Sequence, residues 1–87
     1  MLESKIQTKI KKKLEADGWI VIKLVRTSKS GIPDLLCHRQ GETMYIEVKR
    51  PTGKLSELQK TRIKQLESQG ITVKIWTDYD TDFSTRI

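Results

Sequence analysis

The sequence predicts an α/β domain of order αβββαβ, with a mixed central sheet flanked by helices. Three observations carry this. Leu2, Ile6, Ile10 and Leu14 recur every four residues, the period of a helix with one buried stripe. Residues 19–25, 35–39, 43–49 and 71–77 are short β-branched or alternating apolar runs bounded by turn residues, which read as strands. A second helical stripe, formed by Leu55, Leu58, Gln59, Arg62, Ile63 and Leu66, separates the last two strands.

The first helix (LESKIQTKIKKKLEAD) is stopped by Asp17-Gly18. Glu3 lies within its apolar stripe. If instead Ser4 is the N-cap of a capping box with Gln7, Glu3 sits just before the helix, still near the inner face. WIVIKLV (19–25) is apolar on nearly both faces, so it is expected to be a well-covered strand. A polar loop, RTSKSG, brings two basic residues. Pro33 then suits the first position of a strand, where no ladder donor is needed. Residues 35–39 and 43–49 form a hairpin around Gln40-Gly41. The second helix starts at Ser56 and ends with Gly70 in the C′ position.

The 87 residues suffice for one domain with a modest core. No apolar run approaches the roughly 20 residues of a membrane span, and the lysine-studded N-terminus has no signal-peptide core, so a cytoplasmic protein is expected. The lone Cys37 reads as a small buried hydrophobe, and no Cys/His cluster suggests zinc. Seventeen Lys and Arg against 11 Asp and Glu give a net charge of +6. The last ten residues, DYDTDFSTRI, form an acidic tail, so the preceding 77 carry 16 basic against 8 acidic residues. Such a domain points to a polyanion, nucleic acid before membrane. In the tail, Asp78, Asp80 and Asp82 would compete electrostatically with bound DNA.

Within GIPDLLCHRQGETMYIEVKRP (31–51), three charges stand where strands normally exclude them. Alternation puts Met44, Ile46 and Val48 on one face and Tyr45, Glu47 and Lys49 on the other. With a two-residue turn at Gln40-Gly41, Arg39 pairs with Glu42 and Asp34 falls opposite Glu47. Directly opposed residues have Cβ atoms ~4.5–5.5 Å apart. Two carboxylates that close repel, and one must take up a proton unless a cation lies between them. Mg²⁺ is typically held by one or two carboxylates plus waters and phosphate oxygens, and Lys49 would stand beside it. The plainer alternative is a solvated cross-strand ion pair involving Lys49.

Pro33-Asp34, a twelve-residue gap and Glu47-Val48-Lys49 resemble the PD-(D/E)XK nuclease signature. Over residues 2–77 the chain more closely resembles a stand-alone VRR-NUC domain, a group related to Holliday-junction resolvases and found in phages and larger repair nucleases. The matching pieces are Glu3, Gly31-Ile32-Pro33-Asp34, Ile46-Glu47-Val48-Lys49, Lys54-Leu55-Ser56 leading to Gln59, and Gly70-Ile71-Thr72-Val73. The resemblance implies a restriction-endonuclease-like fold, with the last strand parallel to residues 43–49 after a right-handed crossover. It also implies a metal-dependent endonuclease that cuts branched DNA, such as a four-way junction, and leaves a 5′-phosphate. By the same resemblance Asp34, Glu47 and the backbone carbonyl of Val48 would bind Mg²⁺ or Mn²⁺, with Glu3 reaching the ion through water. Lys49 would orient the attacking water, and Gln59 would complete the site. A two-fold symmetric junction further implies a homodimer. Arg26, Lys29, Lys54 and Arg62 are candidate phosphate contacts. Gln59 has a second reading as the partner of Ser56 in a capping box. A DNA-binding module that does not cut, or a sequence-specific nuclease with the same chemistry, would keep most of these features.

Overall fold

The computed structural model describes residues 2–77. Met1 and the acidic tail, with Asp78, Asp80 and Asp82, lie outside the described residues. The elements are α1 (Glu3–Ala16), β1 (Ile20–Lys23), β2 (Leu35–Arg39), β3 (Glu42–Val48), α2 (Glu57–Ser68) and β4 (Thr72–Trp76). They form one four-stranded sheet in the order β1-β2-β3-β4. β1, β2 and β3 pair antiparallel in succession, and β4 is parallel to β3, as expected of a crossover through α2.

The hairpin register follows from its turn. Gln40 and Gly41 both take positive φ, 48° and 82°, the backbone that a two-residue hairpin turn needs to match strand twist. Arg39 pairs with Glu42 and Leu35 with Ile46, so the next pair outward is Asp34 with Glu47, as the spacing requires.

α1 begins at Glu3, with Leu2 rather than Ser4 at the N-cap and no side-chain cap bond. Its stripe of Ile6, Ile10 and Leu14 is fully buried against one face of the sheet. That face presents Val21, Leu35, Cys37, Met44, Ile46, Val48 and Trp76, and Trp19 closes the cluster. Cys37 is buried, and burial pushes its thiol up to about 12, so it behaves as an inert hydrophobe.

The other face is unevenly covered, which corrects the expectation for β1. Ile20 is 64% exposed and Ile22 44%, although both belong to an apolar run. β1 is an edge strand, and α2 packs with β4 at the opposite side of the sheet. Burial of β1 is therefore one-sided, with Val21 inward and its neighbours outward. Among the described residues, no helix is long and apolar enough to cross a membrane.

Candidate active site

The site forms at the end of the β2–β3 hairpin away from its turn. Asp34 stands just before β2, and its own carbonyl accepts the backbone N–H of Leu24 at 2.8 Å. Its carboxylate Oδ2 accepts the backbone N–H of Val48 at 2.8 Å. This side chain replaces the main-chain partner that β3 would otherwise have found beyond the start of β2. The neighbouring Lys49 N–H points the other way, donating to the carbonyl of Trp76 in β4 at 3.0 Å. Strand backbone alternates in this manner, so the N–H and C=O of Val48 both face the Asp34 side.

Among the described residues, Glu47 is the only charged side chain that is buried, at 2% exposure. Its Oε2 accepts from Gln59 Nε2 at 3.2 Å, with Lys49 Nζ at 3.8 Å from the same oxygen. These contacts do not compensate its burial. Desolvation, followed by the negative charge and hydrogen bonding of Asp34, pushes the Glu47 carboxyl up to about 8; Lys49 opposes the rise, and Glu3 adds a little to it. Without a further cation, this carboxyl holds its proton at neutral pH.

Gln59 satisfies both of its sequence readings at once. As the third residue of α2 it closes a capping box: its N–H donates to Ser56 Oγ at 3.1 Å, and its Oε1 accepts the Ser56 N–H at 2.9 Å. The second bond fixes which end of the amide is free. Nε2, the donor end, is left to face the Glu47 carboxylate. An unrestrained amide could turn its oxygen there instead, so the cap also orients the site.

The remaining predicted residues separate into two groups. Glu3, in the first turn of α1, is half-buried and within electrostatic reach of Glu47, but no direct bond joins it to either carboxylate. Arg26 and Lys29 lie on the loop before Pro33, lining a cleft with Asp34. Lys54 is exposed on the loop after β3. Arg62 is already engaged within the protein: Nε donates to the Ser30 carbonyl at 2.8 Å and Nη1 to Gln65 Oε1 at 2.9 Å. The sequence reading missed this clamp, whose one local signal is Gly31. That residue adopts φ +82°, and a Cβ there would lie 2.9 Å from Leu58 Cγ and 3.1 Å from the Leu58 carbonyl. His38, near the turn, shares a hydrogen bond with Thr43 Oγ1 at 3.0 Å and takes no part in the site.

These residues suit a hard divalent cation. Two carboxylates and a carbonyl on the same side are all-oxygen donors, and a cation there would relieve the repulsion between the half-buried Asp34 and an ionised, buried Glu47. Among the described residues, no group of three or more His, Cys, Asp or Glu side chains is gathered closely enough to hold a metal ion, so the side-chain ligands here are the two carboxylates alone.

Comparison with known proteins gives the frame for this geometry. The model of the VRR-NUC domain matches residues 2–77, nearly the whole chain. The chain belongs to the VRR-NUC domain family. A solved structure described as a VRR_NUC domain is 28% identical and superimposes with a TM-score of 0.82, covering 97% of this chain and 94% of its own. No curated protein matches the chain. VRR-NUC domains are nuclease domains, so DNA is the substrate class. The carboxylate pair of this VRR-NUC chain lies where its hairpin opens, held between β3 and the start of α2.

Proposed function

We propose that this VRR-NUC chain is a divalent-metal-dependent endodeoxyribonuclease of PD-(D/E)XK type. Its substrate is branched DNA such as a four-way junction, and it works as a homodimer in which each site cuts one strand. The observation that carries the chemistry is Glu47, buried to 2% exposure opposite Asp34 with only Gln59 and Lys49 beside it. Enclosing an ionised Glu47 beside the half-buried Asp34 is costly as structure alone, and a cation accounts for the arrangement.

Asp34, Glu47 and the Val48 carbonyl would hold Mg²⁺ or Mn²⁺, with Glu3 contributing through water. The ion would supply Lewis-acid neutralisation of the phosphate. Lys49 orients the attacking water and stabilises charge on the phosphoryl oxygens. Gln59 holds the Glu47 carboxylate in one rotamer. Attack forms a bond from the water oxygen to phosphorus and breaks the bond to the 3′ oxygen. The products are a 5′-phosphate and a 3′-hydroxyl: the attacking water gives up a proton to solvent and the leaving 3′ oxygen takes one from solvent. A basic chain favours contact with a phosphate backbone, and a two-fold symmetric junction needs two equivalent sites.

The test is strand cleavage of an immobile four-way junction beside a matched linear duplex, with Mg²⁺, Mn²⁺ or EDTA, by wild type and Lys49→Ala. Metal-dependent cutting of the junction, lost in the variant, is expected. Equal cutting of junction and duplex would remove the branch selectivity. Tight junction binding without any product would remove the enzymatic reading altogether.

A further inference from the structure

The loop joining β1 to β2 encloses a cleft of about 440 Å³ that the chemistry above leaves unused. Arg26, Thr27, Lys29 and Ser30 line it, and Asp34 is the one acid on its wall. The cleft and the carboxylate pair therefore share a residue. Arg26 and Lys29 are both exposed, and neither side chain forms an ion pair among the described residues. No aromatic side chain lines the cleft, so it offers no platform on which a base could stack. Two uncommitted cations and an unstacked wall suit a phosphate.

The loop is not held by its own sequence. Thr27 Oγ1 donates to the Lys29 carbonyl at 2.6 Å, which tightens the tip. The base is fastened to α2 from outside, through Arg62 Nε on the Ser30 carbonyl and the close approach of Gly31 to Leu58.

We infer that this cleft seats the phosphate next to the scissile one on the bound strand, with Arg26 and Lys29 as its ligands. Arg62 is a positioning residue that holds the loop and is not itself a phosphate ligand. The inference rests on the nuclease reading. It explains why two cations line the same cleft as Asp34: a phosphate approaching that carboxylate is repelled unless positive charge in the cleft offsets both.

The experiment titrates a labelled four-way junction in EDTA over a range of salt, then measures cleavage with Mg²⁺. The proteins are wild type, Arg26→Ala, Lys29→Ala, Arg62→Ala and Arg62→Gln. Removing one phosphate ligand should flatten the slope of log affinity against log salt by about 0.7–0.9. Arg26→Ala and Lys29→Ala should each show that flattening, with KM rising more than kcat falls. Arg62→Gln separates the two roles of Arg62, because glutamine places its Nε2 where the arginine Nε stands. It keeps the donor to the Ser30 carbonyl and removes the charge, so it should rescue the affinity and KM impaired in Arg62→Ala, with the wild-type slope. Unchanged slopes in both loop variants would overturn the subsite. A flattened slope in Arg62→Gln would overturn the positioning role. If wild type binds the junction but never cuts, the nuclease reading fails, and the EDTA titrations still decide the subsite.

Discussion

The two ends of one hairpin treat polar side chains in opposite ways. At the turn end, Arg39 and His38 have partners, although the buried Trp19 Nε1 has none. Arg39 stacks over the Trp19 ring at 4.5 Å and donates to the Asp17 carbonyl, and His38 bonds to Thr43. A cavity of about 340 Å³ opens there, lined by several of these residues, but it lies away from Asp34 and Glu47. At the open end, Asp34 and Glu47 face each other with too few donors between them, and Glu47 is the more deeply buried. The same strand register generates both ends. The charged side chain of the turn end, Arg39, finds its partners within the protein, whereas the charge imbalance at the open end is one that a bound cation would offset.

The largest effect should come from removing the imbalance. Glu47→Gln keeps the shape of the side chain and deletes its charge, which makes the open end resemble the turn end. Cleavage of junction DNA should fall below detection, while thermal unfolding at pH 8 or above without divalent cation should shift upward. Loss of activity together with loss of stability would show that Glu47 is needed for folding instead. Lys49→Ala should reduce kcat by about 10²–10³-fold, as for loss of a donor to a charged transition state, with little change in DNA affinity.

The pH dependence sharpens the same contrast. The Glu47 carboxyl titrates near 8 in the fold, against 4.5 as its ordinary value. Between those pH values the folded state holds a proton that the unfolded chain has released. Stability without divalent cation is therefore greatest below about 4.5, as far as this group is concerned, and falls as pH rises to about 8. Urea unfolding at several pH values should show that decline. Mg²⁺ should offset it increasingly at higher pH, and Glu47→Gln should abolish this component. A wild-type profile identical to that of the variant would contradict the buried repulsion.

Gln59→Glu tests the double use of one side chain. Glutamate is as good as glutamine in a capping box, so α2 should stay capped and helicity unchanged by circular dichroism. It cannot donate to Glu47 and adds a third carboxylate to the site. Metal-dependent cleavage should drop by about 10–100-fold, the usual scale for loss of an outer partner of a metal ligand. Unimpaired cleavage would leave Gln59 as a cap alone. The smallest effect belongs to the turn end. Arg39→Ala should cost about 0.5–1 kcal/mol of stability through its stacking on Trp19, with cleavage unaltered.

Much of the fold is legible in the sequence because it depends on local period and spacing. The four-residue recurrence of Ile6, Ile10 and Leu14 predicts the buried face of α1, and Gln40-Gly41 sets a register that extends to Asp34 opposite Glu47. Ser56 and Gln59 mark the start of α2, and Gly70 its end. The alternation in β3 puts Glu47 and Lys49 on one face, and the spacing of these charges from Asp34 is enough to suggest a metal site.

What lies beyond the sequence is coverage, since burial depends on which elements pack over a residue. The apolar run in β1 reads as doubly covered, but its edge position leaves Ile20 and Ile22 in solvent. The tertiary structure likewise decides that Glu47 is almost completely enclosed, that Gln59 serves cap and carboxylate together, and that Arg62 spends its Nε on the Ser30 carbonyl. These outcomes depend on α2 lying against the strand ends and the loop that leads into β2. Spacing along a chain determines which side chains share a face, and only the packing of one element on another determines what that face meets.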